Sequence, residues 1–367
     1  MGHVISRALS NKSLSSLGVP LKEPVTAHKV RFEPVGVEIT ANEDETVLQA
    51  AFRQGVSLMH GCKEGQCASC KSLLVEGDLE MEKYSTFALA DYERDQGYVL
   101  LCRSHAYSDL TVELLNYDEE MILSGLPVQT GQTVVSAIEH LTHDIKRLVL
   151  KLLEPQELRF RAGQYVNIRI PGSDEHRSYS MANIPAANDH LEFILKVFPG
   201  GRFSSLLDES LVGTALEVTG PYGTCVLREN SDRDVILIGG GAGMSPLWSL
   251  LNDIAERGLK RQVTFYYGAR ARRDLFYLDK MEELAVRLPG FRFIPALSEP
   301  LPEDNWQGET GLITEVVDRT LTAGSDVDVY LCGPAPMIDA ALPVLAKKGI
   351  REERILFDKF TPTGKVQ

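Results

Sequence analysis

Residues 60–70 read HGCKEGQCASC, three cysteines in nine positions spaced C-x4-C-x2-C among small and polar residues. A zinc knuckle, a redox dithiol, a disulfide scaffold or three ligands of a larger set are all compatible with this loop alone. A structural zinc would want a second close pair of Cys or His ligands, and none follows. The next cysteine is Cys102, after 31 intervening residues and at the end of a predicted strand. Three clustered cysteines and one distant one is a [2Fe–2S] spacing. The physics suits it. Four thiolates around two irons and two sulfides leave negative charge, so backbone N–H groups have to point inward. Gly61, Gly65, Ala68 and Ser69 let the chain wrap that closely. Cys62, Cys67, Cys70 and Cys102 are the expected metal ligands, the first two on one iron and the other two on the second. His60 and His105 flank them and are read as neighbours rather than ligands. Cys225 and Cys332 lie outside the pattern.

The loop sits in a chain too long, at 367 residues, for one ordinary core. A net charge of −13 argues against nucleic acid as a partner. No window approaches the ~20 apolar residues of a membrane span. Residues 1–27 contain no acid before Glu23 and lack the apolar core of a secretory signal, so they read as a flexible tail. Without a signal, a cytoplasmic location is expected, where clustered cysteines mean metal or catalysis before disulfides.

Three segments follow the tail. From 28 to 120, HKVRFEP and VGVEITA alternate as short strands, DETVLQAAFRQG is a helix, and KSLLVEG, YVLLC and DLTVELL are further strands. The stretch 117–127 looks like a linker. From 121 to 230, closely spaced strand runs (TVVSAIEHL, RLVLKLL, YVNIRI, LEFILKVF, ALEVTG) suggest an antiparallel β-barrel. From 231 to 367 strands and helices alternate, starting with DVILIGGGAGMSPLWSLLNDIAERG. That alternation predicts a doubly wound parallel sheet covered on both faces. The fold class is thus α+β and α/β, multidomain.

The barrel segment holds RSYS at 177–180, GGRFS at 200–204 and GPYG at 220–223, in that order and before a nucleotide-binding fold. Together with the cysteine loop, residues 28–367 resemble the ferredoxin–reductase fusions of the ferredoxin-NAD(P) reductase family, with a β-grasp ferredoxin domain first. The resemblance implies FAD, with Arg177 neutralising its pyrophosphate, Tyr179 against the ring system and Ser180 at its reactive edge. Gly200, Gly201 and Ser204 match a turn opening a helix whose N-terminal amides receive the pyrophosphate. In ILIGGGAGMSPLWS, Gly239, Gly241, Gly243, Met244 and Pro246 match the family's variant of the dinucleotide turn. LCGP, with Pro336 and Met337, matches a second element, which puts Cys332 near the meeting point of nicotinamide and flavin. By the same resemblance Phe360 of FDKF covers the flavin until nicotinamide displaces it, and Glu299 of ALSEP is a loop acid near the flavin. The implied catalytic set is Ser180, Cys332, Phe360 and Glu299.

Arg270, Arg272 and Arg273 of GARARRD would suit a 2′-phosphate, yet monooxygenase-type relatives carry similar arginines and use NADH, so NADH is the expected donor and NADPH the alternative. NADH gives two electrons as a hydride and a [2Fe–2S] centre takes one, so a flavin has to stand between them. The order NADH, FAD, [2Fe–2S], external acceptor follows from the cofactor set. No Glu-x-x-His pairs of the di-iron type occur, so the chain is not itself the oxygenase. Residues 85–121 look most like propane and cyclic-ether monooxygenase reductases. The expected partner is therefore the hydroxylase of a di-iron monooxygenase oxidising alkane or ether, and the expected state a monomer. A reductase for a Rieske dioxygenase is the alternative. A stand-alone electron-transfer module without reductase activity is a third reading, against which the intact glycines and RSYS speak.

Overall fold

The structure, a computed structural model, describes residues 26–361. The expected tail lies outside the described residues, apart from Thr26 and Ala27. Two compact units emerge: one runs to Ala50 and then over His60–Asn116, the other takes Ala51–Met59 and everything from Tyr117. Residues 51–59 and 117–120, expected in the first segment, thus group with the second unit, which holds both the barrel and the parallel sheet.

The first unit begins with the hairpin β1 (Ala27–Glu33) and β2 (Val37–Asn42), antiparallel with Val30 opposite Ile39. Their alternation buries Val30, Phe32, Ile39 and Ala41 on one face. Helix α1 (Val47–Arg53) follows, then β3 (Lys71–Glu76), β4 (Leu79–Met81), α2 (Asp91–Asp95), β5 (Tyr98–Leu100), β6 (Ser104–Ala106) and β7 (Leu110–Leu114). The main sheet has the order β2-β1-β7-β3-β5, with β1 and β7 parallel and the remaining pairs antiparallel. This mixed sheet fits the expected ferredoxin domain. The cysteine loop joins α1 to β3, and Cys102 follows β5.

After Ala51–Met59 the second unit resumes with α3 (Glu119–Leu123), where only a linker is expected. Asp118 caps it by accepting from the Met121 amide at 3.0 Å, and Met121 and Ile122 are buried. Then comes the barrel: β8 (Gln129–His140), β9 (Ile145–Glu154), β10 (Tyr165–Arg169), β11 (His176–Ser180), β12 (His190–Lys196) and β13 (Ala215–Tyr222). The strand order is β11-β10-β13-β8-β9-β12. A bridge between Met181 and Phe193 draws the two edges together, so the barrel is nearly closed. Val135, Leu148, Leu150, Val166, Ile168, Phe193 and Phe203 fill it.

The chain continues through β14 (Asp234–Gly240), α4 (Met244–Glu256), β15 (Val263–Ala269), α5 (Leu278–Arg287), β16 (Arg292–Leu297), β17 (Glu309–Thr310), α6 (Ile313–Thr320), β18 (Val327–Pro334), α7 (Ala335–Lys347) and β19 (Ile355–Phe360). All neighbours in the sheet β17-β16-β15-β14-β18-β19 are parallel. Strands β14 and β18 are buried nearly throughout, as central strands covered on both faces require. One core joins barrel and sheet, because Ile145, Ala182, Ile194 and Cys225 pack with Leu247, Leu250, Leu251 and Cys332. Among the described residues no helix is long and apolar enough to cross a membrane.

Candidate electron-transfer sites

In the cysteine loop the backbone does what a thiolate-bound cluster needs. The amides of Gln66 and Glu64 donate to Cys62 Sγ at 3.2 and 3.4 Å, and the Cys62 amide donates to Cys67 Sγ at 3.2 Å. The Gly65 amide serves Cys102. Amides aimed at sulfur stabilise the deprotonated form. The loop buys this with left-handed backbone at Lys63 (φ 59°), Gly65 (φ 69°) and Ala68 (φ 58°). A Cβ on Gly61 would stand 2.9 Å from Cys67 Sγ, which leaves glycine as the residue that fits there.

The four sulfurs fall into two pairs. Cys62 and Cys67 share hydrogen bonding, and Cys70 bonds Cys102, which lowers the Cys70 thiol and raises that of Cys102. These are the pairs expected on each iron. Cys70 and Cys102 are buried while Cys67 is exposed. His105 is not a fifth ligand. Its Nδ1 meets the Glu43 carbonyl and its Nε2 the Glu82 carboxylate, both at 3.0 Å. The donor set and its amides fit a [2Fe–2S] cluster, which Cys62, Cys67, Cys70 and Cys102 would hold.

The flavin elements converge on the open end of the barrel. Arg177, Tyr179 and Ser180 lie on β11, and Tyr179 packs its ring 5.4 Å from Phe203 of the GGRFS turn. Arg177 reaches Glu175 at 3.2 Å, and Arg202 bonds the same carboxylate. Two guanidiniums on one carboxylate make a corner with spare positive charge, suited to a pyrophosphate. The expected helix here needs correction. Ser204–Leu206 form only a three-residue 3-10 turn, too short to sum a useful dipole. Gly200, Gly201 and Ser204 thus offer turn amides rather than a helix terminus, with the guanidiniums of Arg177 and Arg202 gathered on Glu175. Gly201 has little room for a side chain, since a Cβ would lie 2.3 Å from Ser204 Oγ. Burial pushes the Tyr179 phenol up to about 12.

Ser180 is buried and opens onto residues far away in sequence. Its Oγ lies 3.5 Å from Asp358 Oδ2, and Tyr165 is its register partner on β10. On β19, Asp358 pairs in register with Cys332 of β18, and its amide bonds the Cys332 thiol. Burial pushes Asp358 up to about 6 and raises Cys332 as well, whose Sγ lies 3.8 Å from Cys225 Sγ. Phe360 shares the strand face of Asp358, two residues on. Ser180, Asp358 and Cys332 thus come together where β11, β18 and β19 meet, with Phe360 two residues beyond Asp358.

The glycine turn stands beside them. Gly239 is the register partner of Cys332. A Cβ on Gly243 would sit 1.9 Å from the Cys332 carbonyl, so the start of α4 presses directly on the end of β18. Met244 and Pro246 lie buried in the first turn of α4. Glu299 is not in this group. It is exposed beyond the end of β16, separated from β18 by β15 and β14, about 14 Å across the sheet.

Residues 30–107 match the 2Fe-2S iron-sulfur cluster binding domain, 132–226 the oxidoreductase FAD-binding domain and 237–342 the oxidoreductase NAD-binding domain. The chain is 49% identical over 340 residues to the propane 2-monooxygenase reductase component of Mycolicibacterium goodii, covering 91% of this chain and 97% of that one. The chain belongs to the ferredoxin–reductase fusions. It is also 39% identical to the phenol 2-monooxygenase reductase component DmpP of Pseudomonas sp. strain CF600, over 91% of this chain and 94% of that one. Among solved structures, the Amycolatopsis cytochrome P450 reductase GcoB superposes with a TM-score of 0.81 at 30% identity, covering 92% of this chain and all of that one. This fusion is an oxidoreductase that uses a nicotinamide donor, FAD and a 2Fe-2S cluster, and it is of the kind that serves as the reductase component of an oxygenase.

Sequence reasoning missed three of the fusion's site residues. Asp358 had a signal, as the one acid of the run ILFDKF. Arg202 stands inside the quoted GGRFS. Ser245 follows Met244 in the dinucleotide turn, and its buried hydroxyl accepts from the Ile194 amide at 3.1 Å and donates to the Ser180 carbonyl at 2.7 Å.

Proposed function

We propose that this fusion is the NADH-fed reductase of a di-iron monooxygenase that oxidises an alkane or ether, and that it works as a cytoplasmic monomer delivering electrons to the hydroxylase. The observation that carries the partner is the 49% identity, across nearly the whole length, to a propane 2-monooxygenase reductase component. When bound, the flavin supplies the conversion between a two-electron donor and one-electron carriers. The chain's own residues do the rest in this reading. Arg177 and Arg202 hold the flavin phosphates, while Ser180, Asp358 and Cys332 line the reacting edge. Cys67 forms the exposed corner of the cluster loop, the natural outlet to a protein acceptor.

The test uses Cys67→Ser in the full chain with a purified di-iron hydroxylase. Electron delivery to the hydroxylase is expected to vanish while NADH-driven reduction of ferricyanide continues at the flavin. Equal loss of both would refute the order of carriers. Delivery to a Rieske oxygenase but not to the hydroxylase would refute the partner.

A further inference from the structure

Residues Ala51–Met59 interrupt the first unit in sequence and pack with the second. They carry the end of α1 and run straight on into the cysteine loop, so that Cys62 follows Met59 by three residues. Backbone fastens this segment to the start of the barrel. The Val128 amide, just before β8, donates to the Phe52 carbonyl at 3.0 Å. A Cβ on Gly125 would stand 2.1 Å from the Gly55 carbonyl oxygen, and one on Gly55 would stand 3.1 Å from the Pro127 ring, so the two stretches touch closely.

The side chain of Phe52 sits at the same join and is buried. Its ring meets that of Tyr222, the tyrosine of GPYG, edge-on with centroids 5.5 Å apart. Tyr222 ends β13 and lies 5.6 Å from Tyr165, its register partner on β10. Tyr165 is in turn the register partner of Ser180. Three rings thus touch in succession between Ser180 and the segment that leads into the cluster loop. Rings have preferred packing geometries, and a close-packed interior passes on displacement with little slack. Phe52 is the one aromatic residue of Ala51–Met59.

We infer that Phe52 is a positioning residue for electron transfer. Seated on Tyr222, it holds the stretch leading into the cluster loop on the flavin barrel and so sets the rate at which the cluster is reduced. This rests on the carrier order proposed above. Electrons leave the flavin for the cluster singly, and the rate of such a step falls steeply as donor and acceptor separate. A loop tethered by one well-packed ring keeps that rate, and a loop that swings loses it. Two rings separate Phe52 from Ser180, so the hydride step does not depend on it.

The test is anaerobic stopped-flow reduction of the flavin- and cluster-loaded full chain by NADH, with flavin and cluster bleaching followed at separate wavelengths. Amide hydrogen exchange over residues 51–59 and a redox titration of the cluster accompany it. Phe52→Ala is expected to slow cluster reduction roughly tenfold or more. It should leave flavin reduction and the cluster potential unchanged, and speed exchange over 51–59 but not in the barrel strands. Phe52→Tyr keeps a ring and is expected to restore the rate. Phe52→Leu fills the space without a ring, is expected to lie between, and stands in if the alanine variant does not fold. Cluster reduction at the wild-type rate in the folded variant without a ring, equal slowing of both steps, or a shift in potential that accounts for the slowing overturns the inference. A wild-type cluster that NADH does not reduce overturns the carrier order beneath it.

Discussion

The hydroxyl of Ser245 closes the seam of the barrel, and its removal has a cost that can be worked out in advance. Ser180 ends β11 and Ile194 lies in β12, the two edge strands of the barrel sheet. Ser245, on the first turn of α4 and 1% exposed, bonds both, at 2.7 Å to the Ser180 carbonyl and 3.1 Å from the Ile194 amide. Alanine leaves two buried main-chain groups without that partner. Each such group costs ~1–3 kcal/mol, so Ser245→Ala is expected to cost about 2–5 kcal/mol. Ser249, one turn later and equally buried, makes a single such bond, to the Asn183 carbonyl at 2.7 Å. Ser249→Ala should cost about half as much, roughly 1–2 kcal/mol. Thermal unfolding of the flavin-loaded protein reads the difference as a drop in Tm of roughly 5–10 °C for Ser245→Ala. In the proposed reading Ser180 lines the flavin edge, so the same variant should also release flavin more readily, measured as free-flavin fluorescence at equilibrium. If Ser245→Ala costs no more than Ser249→Ala, or destabilises without loosening the flavin, the seam is not held in this way.

Two further outcomes follow from the same corner. Asp358 is raised from 3.8 to about 6, so the folded state holds its proton more tightly than the unfolded chain. Stability from that proton is complete below the ordinary value and lost as pH rises through about 6. Asp358→Asn should therefore gain stability over wild type above pH ~7, by at most about 3 kcal/mol since the residue is only half-buried, and gain little near pH ~4. Chemical unfolding of the flavin-free protein on both sides of the transition checks it, and a gain independent of pH would contradict it. Gly243→Ala puts a Cβ 1.9 Å from a main-chain carbonyl and should cost about 3 kcal/mol and weaken NAD+ binding. Gly241→Ala meets nothing within 4 Å and strains only its φ of 56°, about 1 kcal/mol. Comparing the two variants by unfolding and by NAD+ titration separates crowding from strain.

What the sequence made legible is what repeats or clusters locally. The cysteine spacing pointed to four candidate ligands, because three of them share one loop and the fourth follows a strand that returns to it. Strand–helix alternation after Asp232 named the parallel sheet, because central strands of such a sheet are continuous apolar runs. The residues that escaped are those whose meaning comes from tertiary contact. Asp358 is 178 residues from Ser180, and no local pattern links them. Helix α6 carried a readable signal, with Ile313, Val316 and Val317 buried at helical spacing, but only eight residues to carry it. The GGRFS turn misled in the other direction. Its glycines and serine are those of a helix start, yet the chain leaves the helical path at Leu207, and the positive charge nearby is that of Arg177 and Arg202.

Ser245 marks the boundary between these two kinds of information most sharply. In the sequence it belongs to the dinucleotide turn, where small residues are explained by close approach to phosphate. In the fold its hydroxyl points away from that task, into the barrel, and fastens the strand that presents Ser180. One short motif therefore serves two ligands. Its glycines let the start of α4 press on the end of β18, and its serine ties β11 to β12. A motif read only as a nucleotide cradle would tolerate threonine, serine or alanine at this position nearly equally. A motif that also sets the spacing of two reactants demands a hydroxyl there. Barrel and parallel sheet also share one apolar core, so the Ser180–Asp358 contact is held from both sides.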